Sequence, residues 1–100
     1  MKSYKPYTWK AEILLLLSAN HWMTIGDMIV RGITYKAPQR IAELMKDGLV
    51  EVQISNKKNR QGRNLSEYRL KEQYFASKRD IDGKGTMVVV RPRDLLKQLF

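Results

Sequence analysis

Cysteine is absent from the 100 residues, so neither a disulfide framework nor thiolate chemistry is available. That suits a reducing compartment, and a soluble, cytoplasmic protein is expected. Histidine occurs once, at His21. A zinc site would then need carboxylates for nearly all its ligands, which is rare, so His21 is read as a surface or capping residue. No segment approaches the roughly 20 apolar residues that span a bilayer. The run Ile13–Leu17 is also too short for a secretory core, and no small-residue cleavage site follows it. Acids are scarce, 10 against 19 lysines and arginines, giving a formal charge of +9 and a pI near 10.0. Such a chain attracts polyanions over a Debye length of about 8–10 Å. Charge alone admits nucleic acid, an anionic membrane surface or an acidic protein. The 43% hydrophobic content supplies a modest core for one domain.

Catalytic patterns are missing as well. Gly83-Lys84-Gly85-Thr86 fails as a phosphate-binding loop, which needs a glycine five residues before the Gly-Lys pair and Ser or Thr right after the lysine. Those positions hold Lys78 and Gly85. Asp80 and Asp82 lie beside Gly83 and read as turn residues, and no Ser, His and acid arrangement gathers around His21. Neither an enzyme, a metal, a cofactor nor a small-molecule ligand is expected.

Hydrophobic spacing does supply structure. Residues 1–7, ending just past Pro6, read as a flexible arm. Thr8 is an N-cap for a helix to about Ala19, stopped by Asn20, with Trp9, Ile13, Leu16 and Leu17 at helical spacing. His21 to Met23 form a connector or a single bridging strand. Thr24 and Asp27 have the spacing of a capping box, and Ile25, Met28 and Ile29 then share a face until Gly32 ends the helix. A second helix starts near Thr34 or Tyr35 and runs to Asp47, with Pro38 in its first turn, where the missing N–H costs least. Its apolar stripe is Ile41, Leu44 and Met45; Lys36, Gln39, Arg40, Glu43 and Lys46 form the opposite, mostly cationic face.

After Gly48 the period becomes two. Val50, Val52 and Ile54 alternate with Glu51, Gln53 and Ser55, and Tyr68 and Leu70 with Glu67 and Arg69. Between them, Asn56–Asn64 carries Lys57, Lys58, Arg60 and Arg63 and no acid, a polar tip suited to projecting into solvent. Beyond it, Glu72–Lys78 continues the sheet or forms a helical turn, Asp82-Gly83 is a turn, Thr86–Arg91 is a strand, and Arg93–Phe100 is a short apolar-faced helix.

Helix, turn, basic helix and basic hairpin in that order put a helix face and a cationic loop on one side of a small α+β domain. Duplex DNA fits such a surface best. An α-helix enters the major groove, where Arg pairs with guanine and Gln with adenine. Gln39 and Arg40 lie early in the second helix, the part that reaches base edges; Tyr35 and Lys36 suit phosphates, and so do the four hairpin cations.

The stretch Ile41-Ala-Glu-Leu44-Met-Lys-Asp-Gly48-Leu49-Val50, followed by a polar hairpin, resembles the end of the recognition helix and the wing of winged helix-turn-helix DNA-binding domains in prokaryotic regulators, those of phages and plasmids included. The resemblance covers about Trp9 to Leu70. It implies a three-helix core with a β-hairpin wing over 8–70, base reading by Lys36, Gln39 and Arg40 with Tyr35 and Glu43 on the same helix, and backbone contact by Lys57, Lys58, Arg60 and Arg63. Residues 71–100 are then an extension, packed on the domain or at a dimer interface. The expected function is sequence-specific binding of double-stranded DNA, as a small transcriptional regulator acting by site occupancy. The alternatives are a winged helix whose basic face docks an acidic protein and an accessory factor in replication or recombination. A homodimer would double the short reading frame of one helix, with Leu95, Leu96, Leu99 and Phe100 as its interface, joined by Trp9 or Trp22; folding of that tail onto its own core is the competing expectation.

Overall fold

The computed structural model describes residues 2–93. In chain order these form strand β1 (Lys2–Tyr4), helix α1 (Trp9–Ala19), strand β2 (Met23–Thr24), helices α2 (Ile25–Val30) and α3 (Ala37–Lys46), and strands β3 (Val50–Lys58), β4 (Asn64–Leu70), β5 (Tyr74–Asp80) and β6 (Thr86–Pro92). The fold is α+β, with two antiparallel three-stranded sheets ordered β2-β4-β3 and β1-β6-β5.

Local chemistry sets the helix ends. Thr8 Oγ1 accepts from the Ala11 N–H at 3.3 Å to open α1, and both N–H groups of Asn20 donate to the Leu16 carbonyl to close it. Thr24 and Asp27 make the reciprocal capping box: Thr24 Oγ1 accepts from the Asp27 N–H at 3.1 Å and Asp27 Oδ2 from the Thr24 N–H at 3.0 Å. The third helix starts later than its spacing suggests. Lys36 sits in the left-handed region at φ 50°, and Ala37 and Pro38 follow as the first helical residues. Proline has no N–H to donate back to Thr34, so no helical bond can run through it, and the first one joins the Arg40 N–H to the Lys36 carbonyl.

The core lies around α1. Ala11, Ile13, Leu14 and Leu17 are buried, with Leu15 and Leu16 partly so, which is why this helix is apolar on most of its circumference. It packs against α3, β4 and β5, so both sheets share it. From α2 only Met28 is fully inserted; Ile29 stays 48% exposed, because a helix of six residues turns too little apolar surface inward to bury both. From α3, Ala37, Ile41 and Leu44 are buried.

The two ends of the chain depart from expectation. Residues 2–4 are a strand: β1 pairs antiparallel with β6 (Lys2↔Val90, Ser3↔Val89, Tyr4↔Val88). Three residues carry no readable period of their own, and it is the open edge of β6 that organises them. The Tyr4 hydroxyl donates to Asp47 Oδ2 at 3.3 Å beyond the end of α3, and burial, then the Asp47 charge and this bond, push the phenol up to about 12. The segment after Leu70 forms a hairpin, β5–β6, whose Ala76, Val88 and Val90 join the same core cluster as α1. Residues 71–93 are therefore integral to the packing. The expected terminal helix over 93–100, with its apolar residues Leu95, Leu96, Leu99 and Phe100, lies outside the described residues save Arg93. Among the described residues no helix is long and apolar enough to cross a membrane.

Candidate nucleic-acid interface

The face of α3 turned away from Ala37, Ile41 and Leu44 is bare. Lys36, Gln39, Ala42 and Lys46 are exposed there at helical spacing. Ala42 escaped the sequence reading, since charge and hydrogen-bonding capacity selected the face. Its position three residues after Gln39 and four before Lys46 was the available signal. A methyl group there lets another surface approach the helix closely, which longer neighbours would prevent.

Arg40 and Glu43 sit on the flank of this face, both half-buried. The Arg40 guanidinium donates to both Glu43 oxygens, at 2.8 and 3.1 Å, and Lys10 Nζ of α1 lies 2.9 Å from Glu43 Oε2. The bonds from Lys10 first, then Arg40, hold the Glu43 carboxyl below its usual range. Two cations on one carboxylate leave the cluster positive. Lys10 was not identifiable beforehand, because it comes from a different helix 33 positions away (43 − 10).

Tyr35 and Lys36 precede the helix. The Tyr35 ring lies 6.4 Å from that of Trp9, tilted by 37°, and Lys36 Nζ is 5.1 Å from the Tyr35 centroid. The stacking ties the entry of α3 to the start of α1.

The cationic hairpin differs from the sequence reading in extent. Strand β3 continues to Lys58 and β4 resumes at Asn64, with a register irregularity between Ile54 and Lys58. Only 59–63 turn. Asn59 organises them: its Oδ1 accepts from the N–H groups of Gln61 at 2.9 Å and Arg63 at 3.0 Å, and Gly62 takes the positive φ of 81° the return demands. Lys57, Lys58, Arg60 and Arg63 are all exposed. Lys57 Nζ lies 3.8 Å from Asp27 Oδ2, a long ion pair that links the hairpin to the first turn of α2. The Asp27 carboxyl is lowered chiefly by the Thr24 backbone N–H, with Lys57 adding a smaller charge effect. The structure thus brings Arg40, Glu43 and Lys10 into one group and Lys57 and Asp27 into another.

Alternation along β3 fails past Val50. Val52 is 43% and Ile54 67% exposed, whereas Ser55 is buried with its hydroxyl accepting from the Lys57 N–H at 3.0 Å. The strand leaves the core after its first residue, so period-two patterning no longer reports burial. Where β3 and β4 face each other, Gln53 donates to Glu67 at 2.6 Å, and Arg69 pairs with Glu51 and Glu72 while lying 4.5 Å over the Trp22 ring.

No protein-family model matches the chain, and neither a curated protein nor a solved structure matches it.

Proposed function

We propose that this chain is a winged helix-turn-helix protein that binds double-stranded DNA sequence-specifically, with α3 as recognition helix and β3–β4 as wing, and that it acts as a small transcriptional regulator by occupying its site. One observation carries the reading. A helix buried along Ala37, Ile41 and Leu44 and bare along Lys36, Gln39, Ala42 and Lys46 is followed in the chain by a hairpin whose end carries four exposed cations and no acid.

The roles divide by chemistry. Gln39 can pair with adenine N6 and N7 in the major groove, and Ala42 offers a methyl to a thymine methyl while keeping the helix close. Arg40 is occupied by Glu43, so its contact with guanine is an exchange of one acceptor for another. Lys10 makes that exchange tolerable, because it stays on the carboxylate that Arg40 leaves. The hairpin cations neutralise phosphates, which fixes position without reading sequence.

The test is selection of preferred sites from random duplexes, followed by affinity measurement on the winner and on random DNA across a salt series. About six phosphate contacts give a log–log slope near −5, with tighter binding to the selected site. A shallow slope and no preferred sequence would remove this reading and favour an acidic protein as the partner of the same face.

A further inference from the structure

A second surface lies beside α3 and is built from aromatic rings. The junction of β1 and α1 forms a cleft of about 520 Å³, lined by Tyr4, Tyr7 and Trp9 together with Lys5, Lys10 and Arg40. That volume falls in the range of ligand clefts. Tyr7 is the most exposed of the described aromatic residues at 83%, and its backbone adopts φ 66°, the left-handed region that a bulky residue seldom enters. The ring is thus held in solvent at the cleft edge, with Lys78 Nζ of β5 5.3 Å from its centroid. Trp9 forms the inner wall, braced by Tyr35. Arg40 belongs both to this cleft and to the flank of α3.

Flat rings interleaved with cations fit a ligand that is aromatic and anionic. Resting on the DNA-binding reading above, we infer that this cleft stacks an unpaired base of a DNA strand next to the duplex held by α3, so that the protein prefers duplex with a single-stranded extension. Inside a duplex both faces of a base are covered by its neighbours; only an unpaired base has a face to offer Tyr7. The phosphates on either side of that base meet Lys5 and Lys78, while Lys10 stays on Glu43. Charge complementarity therefore selects the strand as the occupant over an uncharged aromatic ligand. Two acids bond to cleft residues: Glu43 is matched by Lys10 and Arg40, and Asp47 accepts from the Tyr4 hydroxyl at 3.3 Å, so the cations still outnumber them. Stacking is tolerant of sequence, so this surface adds affinity for a DNA form and leaves sequence choice to α3.

The experiment compares the full chain on a blunt duplex, the same duplex with a short oligothymidine overhang at either the 5′ or the 3′ end, oligothymidine alone and thymidine monophosphate. One overhang is expected to bind about tenfold tighter than the blunt duplex. Tyr7→Ala should abolish that gain and leave blunt binding unchanged, Tyr7→Phe should keep it, and circular dichroism should confirm the fold of both. Intact blunt binding with no gain from either overhang overturns the inference and spares the DNA reading. So does a gain that survives Tyr7→Ala. Absence of blunt binding together with Tyr7-dependent binding of oligothymidine overturns the duplex reading and, with it, the preference for an extended duplex. Binding of the monophosphate as tightly as of the strand assigns the cleft to a free nucleotide and overturns the inference.

Discussion

The two hairpins of this chain are similar in length and opposite in placement. In β5–β6 the central run Val88-Val89-Val90 is essentially inaccessible, and Ala76, Val88 and Val90 share the cluster built around α1. In β3–β4 only Val50, Ser55 and Leu70 are buried, and Val52 and Ile54 stand in solvent. Charge divides them too. The tip of the first hairpin has cations alone, whereas the second mixes Lys78, Arg79 and Lys84 with Asp80 and Asp82. One hairpin is packed on the core along its centre; the other is anchored there at its base by Val50 and Leu70, and its end stands clear. A projecting end can carry an excess of positive charge, partly relieved by the long Lys57–Asp27 pair, because its side chains keep their hydration and surface charge in high dielectric costs little.

Substitutions in the two hairpins should have unequal effects. Val88→Ala deletes two carbons at a position of 0% exposure and should cost about 2–3 kcal/mol in denaturant melts. Ile54→Ala, at 67% exposure, should shift stability by less than about 0.5 kcal/mol. Equal costs would mean the hairpins are packed alike. Gln39→Ala and Arg40→Ala should each lose about 1–3 kcal/mol at the selected DNA site and little on random duplex. For Arg40→Ala the melting temperature should move only slightly, since Lys10 continues to satisfy Glu43; a sharp drop would make Arg40 a structural residue. Thr24→Ala removes the α2 cap and should cost about 1 kcal/mol, read by thermal melts.

The smallest effect is the response to acid. Asp27 and Glu43 both have lowered carboxyl pKa values when folded, so each adds stability above the ordinary carboxylate range of about 3.9–4.3 and loses it as pH falls through its lower folded value. Both groups are partly exposed, which keeps the contribution small. Asp27→Asn should flatten the fall in stability below about pH 4, and an unchanged acid limb would show that the capping box does not govern it.

The parts of the fold legible beforehand were those with local causes. Thr8, Thr24 with Asp27, Asn20 and Gly32 each act within one turn of the chain, and they marked helix ends correctly. The strand over 86–91 was also evident, because three consecutive valines have few other uses. What escaped depends on distant partners. Strand β1 exists only against β6, Lys10 finds Glu43 only once α1 and α3 cross, and the exposure of Val52 and Ile54 follows from where the sheet ends. The exposure of Lys36, Lys46 and the four hairpin cations agrees with the polar pattern of the sequence. That Arg40 and Glu43 bond to each other was not evident beforehand, although i,i+3 spacing permits it.

Whether the hairpin grips DNA is decided by the salt dependence of duplex binding, measured for the natural chain and for a variant with Lys57, Lys58, Arg60 and Arg63 each changed to Gln. A slope near −5 is expected for the natural chain, flattened by up to about four units in the variant, with affinity for selected and random DNA reduced alike. Equal slopes and equal affinities for the two proteins would contradict it, because the hairpin would then not touch DNA.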